Sequence, residues 1–144
     1  MRYPKIFETD ASFIAYRVTG TGPALLLLHG YPQTMYMWHQ IVGRLAQDYT
    51  VVLADLRGYG DSGKPRTDDQ HNPYSKREMA ADMAALMSHL GHEKFAVMGH
   101  DRGGRVAHRL ARDYEHRLTG MAVLDIAPTL SMYENTDMHF AKAY

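Results

Sequence analysis

Phe95-Ala96-Val97-Met98-Gly99-His100-Asp101-Arg102-Gly103-Gly104 passes from a short apolar run straight into a glycine-framed turn. The run has a strand's length, and the residues from Arg102 to about Tyr114 predict a helix. Strand, tight turn and helix in that order, with a G-x-D-x-G turn, form a nucleophile elbow, which thrusts one reactive side chain out at the end of a strand. Asp101 holds the reactive position, where serine is commoner. Side chains at Gly99 and Gly103 would collide with neighbouring elements in such a strained turn.

Working outward, three more continuous apolar runs occur: Ala24–Leu28, Val51–Ala54 and Met121–Leu124. Continuous rather than alternating runs predict strands buried on both faces. The clearest helix is Ser75 to Leu90. It opens on the capping box Ser75-x-x-Glu78, repeats apolar residues at Met79, Met83, Leu86, Met87 and Leu90, and stops at Gly91. Another helix is expected from about Trp38 to Gln47. Alternating strands and helices predict an α/β fold, a mostly parallel sheet with helices on both faces. The alternation of Phe13, Ala15 and Arg17 with Ile14, Tyr16 and Val18 reads as an antiparallel edge strand. Lys64 to Pro73, polar and with two prolines, reads as a surface loop.

The chain has 144 residues, 45% of them hydrophobic, enough for a core of its own. Sixteen basic residues balance sixteen acidic ones, so no basic field attracts nucleic acid or a membrane surface. A small molecule is the expected partner; a homodimer is left open. The longest apolar run falls far short of the roughly 20 residues of a membrane span, and residues 1–10 lack the apolar stretch of a signal peptide. A cytoplasmic location is the expectation. The absence of cysteine excludes thiolate chemistry.

Aspartate in the elbow changes the reaction. Its carboxylate is already ionised at neutral pH and needs no base to attack. It suits displacement at a saturated carbon, expelling halide or opening an epoxide and leaving an ester on the protein. Hydrolysis of that ester then needs a histidine and an acid to orient it. Asp125 is the candidate acid, because it closes the strand Met121–Leu124 and so emerges at the same sheet edge as Asp101; alone, it would read as a turn former or helix cap. An oxyanion hole is expected from the backbone N–H groups of Tyr31, in His29-Gly30-Tyr31-Pro32, and of Arg102. The plainer reading of Gly30 and Pro32 is a turn. Arg102 and Arg105, three apart beside Asp101, could clamp a substrate carboxylate, whereas Arg109 and Arg112 are expected to be solvated.

Gly58-Tyr59-Gly60-Asp61-Ser62-Gly63 matches G-x-G-x-x-G, but Pro65 and Pro73 preclude the helix that must meet a pyrophosphate. Dinucleotide binding is therefore declined. The nine histidines are scattered without metal-site spacing, so no metal or other cofactor is expected. His29 and His100 are read as structural groups beside the site, and Met79, Met83 and Met87 as core.

Together, His29-Gly30-Tyr31-Pro32-Gln33, Asp55-Leu56-Arg57-Gly58-Tyr59-Gly60-Asp61-Ser62, Gly99-His100-Asp101-Arg102-Gly103-Gly104-Arg105 and Val123-Leu124-Asp125-Ile126 resemble the amino half of haloacetate (fluoroacetate) dehalogenases, members of the α/β-hydrolase superfamily. The Asp-Arg-x-x-Arg run is the selective part, since the related haloalkane dehalogenases and epoxide hydrolases usually carry tryptophan at the place of Arg102. The resemblance implies an α/β-hydrolase fold, with residues 1–127 as the amino-terminal part of its core and 128–144 as the start of a cap region. It implies that a short 2-halo acid is hydrolysed to the 2-hydroxy acid through an ester on Asp101, with Arg102 and Arg105 holding the carboxylate and Asp125 supporting a histidine. That histidine, and the halide-holding histidine and tryptophan, belong beyond Tyr144 in this family; only His139 follows Asp125. The chain is thus expected to be part of a longer protein, lacking the last strands and presenting an unpaired sheet edge. Epoxide hydrolysis by the same aspartate, and a non-catalytic module that binds a small anion or another chain, are the competing readings.

Overall fold

The computed structural model describes residues 3–134. Six strands form one sheet in the order β1-β2-β4-β3-β5-β6: β1 Lys5–Glu8, β2 Phe13–Thr19, β3 Ala24–Leu28, β4 Thr50–Ala54, β5 Phe95–His100 and β6 Leu118–Leu124. β3 pairs in parallel with β4 and β5, and β5 with β6, while β1 and β2 join antiparallel. The helices are α1 Val42–Leu45, α2 Lys76–His89, α3 Arg102–Asp113 and α4 Thr129–Glu134.

β3 shows why its run is uninterrupted. Leu26 and Leu28 point into one core with Val52, Val97, Val106, Leu110 and the α2 residues Met79, Met83, Leu86 and Met87. Leu25 and Leu27 point into a second core with Met35, Trp38, Val51 and Leu53. Both faces are covered, so the period-2 alternation carries no polar half.

α2 runs where its periodicity placed it. Ser75 Oγ accepts from the Glu78 N–H at 3.3 Å, but only half of the capping box forms, because the Ser75 N–H is already given to Asn72 O at 3.0 Å. Gly91, at φ 79, supplies the left-handed residue that ends the helix, and the His92 N–H reaches back to Met87 O at 2.8 Å.

Two expectations are corrected. Residues 38–47 are not one helix: a 3-10 segment, Met35–Gln40, starts earlier and α1 follows it. In a 3-10 turn, residues three apart eclipse one another, and here this buries both Met35 and Trp38 under the sheet. Nor is β2 the edge. Its neighbours are β1 and β4, and the short, charged Lys5–Glu8 takes the edge, as edge strands commonly do.

At the far side, β6 pairs only with β5 among the described residues, leaving Met121 46% and Val123 and Leu124 each 39% exposed. That is the open edge foreseen from the sequence. α4 opens the stretch assigned to the cap region; the rest of that stretch, including His139, lies outside the described residues.

Candidate active site

β5 ends at His100 and α3 begins at Arg102, so Asp101 alone makes the turn, at φ 47 and ψ −116. L-residues rarely adopt this conformation, and such strain concentrates at functional sites. Glycine makes the crossing feasible: a Cβ on Gly99 would stand 2.3 Å from Gly103 O, and one on Gly103 would stand 2.4 Å from Leu28 O. The backbone is pinned on both sides. The Asp101 N–H donates to Leu124 O at 3.1 Å, and its carbonyl accepts from Gly104 N at 3.0 Å and Arg105 N at 3.3 Å.

The Asp101 side chain does not cap α3. Its Oδ2 accepts instead from the Tyr31 N–H, at 2.9 Å. The His-Gly-Tyr-Pro stretch makes a turn: the Gln33 N–H closes it on Gly30 O at 3.0 Å, with the Tyr31–Pro32 peptide cis, and the Tyr31 N–H faces Asp101. The Arg102 N–H, at the first position of α3, has no acceptor within its helix and belongs to the positive end of the helix dipole.

His29 supports the turn from beneath. It is fully buried, and its Nε2 accepts from the Leu56 N–H at 3.0 Å, so Nδ1 carries the proton and donates to Gly30 O at 2.9 Å. Burial lowers its pKa, against the opposing pulls of the Gly30 carbonyl and the Asp55 charge. Asp55, also buried, accepts from Met35 N at 2.6 Å and Asp61 N at 2.9 Å, which ties the loops after β3 and β4 together.

Arg102 is exposed, with its guanidinium 5.1 Å from the centre of the Tyr31 ring and Nη1 donating to the Tyr59 hydroxyl at 3.3 Å. Tyr59 meets the His29 ring edge-on at 5.2 Å. Arg105 lies one turn along α3, half-buried. Asp125 leaves β6 level with Asp101, since Leu124 is the register partner of His100. Its conformation is left-handed, φ 51, and its side chain is 90% exposed, with Oδ2 3.8 Å from His100 Nε2. The two carboxylates share a sheet edge, but the turn at Asp125 puts its carboxylate in solvent instead of a cavity common to both.

Arg109 is not simply solvated: it forks onto Asp113 with two bonds of 2.7 Å. The glycine loop at 58–63 does not lead into a helix. Gly60 lets it fold onto Asp55, whose Oδ2 would lie 2.0 Å from a Cβ there. Among the described residues, no group of three histidine or acidic side chains could hold a metal, and no helix is long and apolar enough to cross a membrane.

Sequence reading missed three groups. Tyr59 sits in the glycine loop, whose pattern gives no sign of its contacts with Arg102 and His29. Arg57 and Asp82 form a buried bidentate pair, at 2.8 and 2.7 Å, locking the loop after β4 to α2; the signal was an aspartate set among Met79, Ala80 and Met83 on an apolar helix face. Lys76 is the third. Burial, then the charges of Arg102 and Arg105, push its ammonium below the ordinary lysine range, while Asp101 pulls the other way.

Residues 23–144 match the family model described as alpha/beta hydrolase fold. The chain is 54% identical over 127 residues to a fluoroacetate dehalogenase of Burkholderia sp, covering 88% of this chain and 42% of that protein. It is 44% identical over 115 residues to a soluble epoxide hydrolase of Corynebacterium sp. (strain C12), covering 80% of this chain and 38% of that one. A crystal structure of an α/β-hydrolase-type protein from Nostoc sp PCC 7120 superposes with a TM-score of 0.95 at 55% identity, covering 98% of this chain and 48% of that one. The chain therefore spans less than half the length of each of these proteins.

Proposed function

The chain belongs to the α/β-hydrolase family, a hydrolase superfamily, and from that premise we propose that it carries the nucleophile of a haloacetate dehalogenase. In this reading Asp101 attacks the carbon bearing the halogen of a short 2-halo acid. The carbon–halogen bond breaks, halide departs with the bonding pair, and an ester joins Asp101 to the substrate carbon. Water then adds to the ester carbonyl, and its collapse releases the 2-hydroxy acid and restores the carboxylate.

The observation that carries this reading is the Tyr31 N–H on Asp101 Oδ2. With that oxygen held, Oδ1 is the one free to attack. Oδ2 then becomes the ester carbonyl oxygen, and the Tyr31 N–H, joined by that of Arg102, is in place for the negative charge that grows there when water adds. Arg102 and Arg105 favour an anionic substrate, because a guanidinium fork matches a carboxylate. Asp125 supports the histidine that activates water; in the family this chain resembles, that histidine comes from a later part of the protein.

A single-turnover reaction of the full-length protein, including the later segment that carries the histidine, with fluoroacetate in H2(18)O tests the proposal. Labelled oxygen in Asp101 and loss of fluoride release in Asp101→Asn are expected; an active protein with unlabelled Asp101 would exclude it. The nearest rival, epoxide hydrolysis by the same aspartate, draws on the epoxide hydrolase relative. It would show as diol formation from an epoxide without halide release from any haloacetate.

A further inference from the structure

Crossover helices run antiparallel to their strands, so α2 and α3 both start at the carboxyl edge of the sheet, where Asp101 stands. Arg102 is the first residue of α3 and Lys76 the first of α2, and the two helices pack against each other. Lys76 is half-buried, with Nζ 3.7 Å from Met79 Sδ of its own helix. Among the described residues, no carboxylate oxygen lies within the 4.0 Å of an ion pair with it.

Three penalties meet at this lysine. A cation in the first turn faces the positive end of the helix dipole. Partial burial disfavours its charge, and two guanidinium groups on the neighbouring helix repel it. The Asp101 carboxylate acts on it in the opposite sense to the cations Arg102 and Arg105. Lys76 and Arg102, the first residues of two helices packed on each other, thus stand at the sheet edge that Asp101 occupies. A sequence that breaks several local rules at one position does so most often at a functional site, and a half-buried lysine with no carboxylate in ion-pair reach among the described residues is suited to an anionic ligand.

We propose that Lys76 is the third member of the cationic rim that draws an anionic ligand to Asp101, and that it makes the site select carboxylates over neutral analogues. The inference rests on the reading of this site as one for short halo acids, and names Lys76 as a specificity-determining residue there. It adds no step to the reaction.

The test is calorimetric binding of glycolate, the 2-hydroxy acid product, and of glycolamide, its neutral counterpart, to the full chain. Lys76→Gln is expected to weaken glycolate binding about five- to tenfold and to reduce its dependence on ionic strength, with glycolamide unchanged. Lys76→Arg should retain glycolate. The alkaline fall in glycolate affinity should begin below the ordinary lysine range in wild type, because burial and the two arginines favour loss of the Lys76 proton, and should vanish in Lys76→Arg, which keeps its charge. That comparison stands even if the glutamine variant does not fold. Glycolate affinity in Lys76→Gln within twofold of wild type, equal losses for both ligands, or the same alkaline fall in Lys76→Arg would overturn the proposal. Binding requires no turnover, so a wild type that binds glycolate but releases no fluoride would count against dehalogenation and leave the role of Lys76 intact.

Discussion

The backbone N–H of Tyr31 donates to Oδ2 of Asp101 across 2.9 Å, joining two residues 70 apart in the chain. The bond is possible because Gly30 has no side chain. A Cβ there would stand 2.5 Å from Asp101 Cβ and 2.8 Å from Oδ2. One loop thus fixes both the orientation of the candidate nucleophile and the donor that steadies its oxygen.

Gly30→Ala should therefore displace the carboxylate while leaving the two cores untouched. We expect kcat/KM for fluoroacetate to fall by at least about 100-fold, the order that a misplacement near 1 Å costs, with far-ultraviolet circular dichroism unchanged. Fluoride release measured by ion-selective electrode reads this, and activity within a factor of three of wild type would rule out the proposed geometry.

The Arg57–Asp82 pair, both side chains less than 5% exposed, gives a stability prediction. Burial pushes the Asp82 carboxyl up, and the guanidinium fork holds it down. Removing one partner strands a buried charge, so Arg57→Met should cost about 3–5 kcal/mol in urea unfolding. Arg57→Met combined with Asp82→Leu should recover most of that loss, since well-packed apolar replacements of buried pairs are often neutral. Additive losses in the double variant would contradict this account.

How far the sequence reached depends on the range of the interaction concerned. Gly99-His100-Asp101-Arg102-Gly103 was legible as an elbow because a strand, a turn and a helix are contiguous there, and β3 to β6 were legible from unbroken apolar runs. The level placement of Asp125 followed from the parallel order, but its solvent-facing side chain did not, because it depends on a left-handed turn (φ 51) on an edge strand. Met35–Gln40 escaped because a search at 3.6 residues per turn is blind to a segment that packs at three. Arg57 and Asp82 are 25 positions apart, and their meeting depends on how α2 lies against the loop after β4, which no local pattern encodes.

His29 predicts a pH dependence. Its folded-state pKa lies below the ordinary 6.5 because burial disfavours the charged ring. The unfolded chain therefore takes up a proton near pH 6.5 that the folded chain refuses. The stability contributed by neutral His29 is fully present above that pH, and is lost as pH falls toward the lowered folded value. Over that window the slope attributable to this group is positive and at most about 1.4 kcal/mol per pH unit. Urea unfolding of wild type and His29→Gln between pH 7.5 and 5.5 isolates it: the wild type should lose stability more steeply, and parallel curves would show that His29 protonates freely in the folded protein.

Gly43 and Gly103 separate two reasons for glycine in a helix. A Cβ on Gly43 in α1 meets nothing within 4 Å, so Gly43→Ala only removes unfolded-state freedom and should stabilise by roughly 0.5–1 kcal/mol. A Cβ on Gly103 in α3 would sit 2.4 Å from Leu28 O and 2.5 Å from His29 O, both backbone atoms of the segment leading to Tyr31. That backbone cannot yield without shifting β3 or prising α3 off the sheet, so Gly103→Ala should cost about 3 kcal/mol or more. Paired thermal melts decide the matter. A rise in midpoint for Gly43→Ala and a fall for Gly103→Ala are expected, and a Gly103→Ala protein as stable as wild type would mean that α3 does not start where Asp101 needs it to.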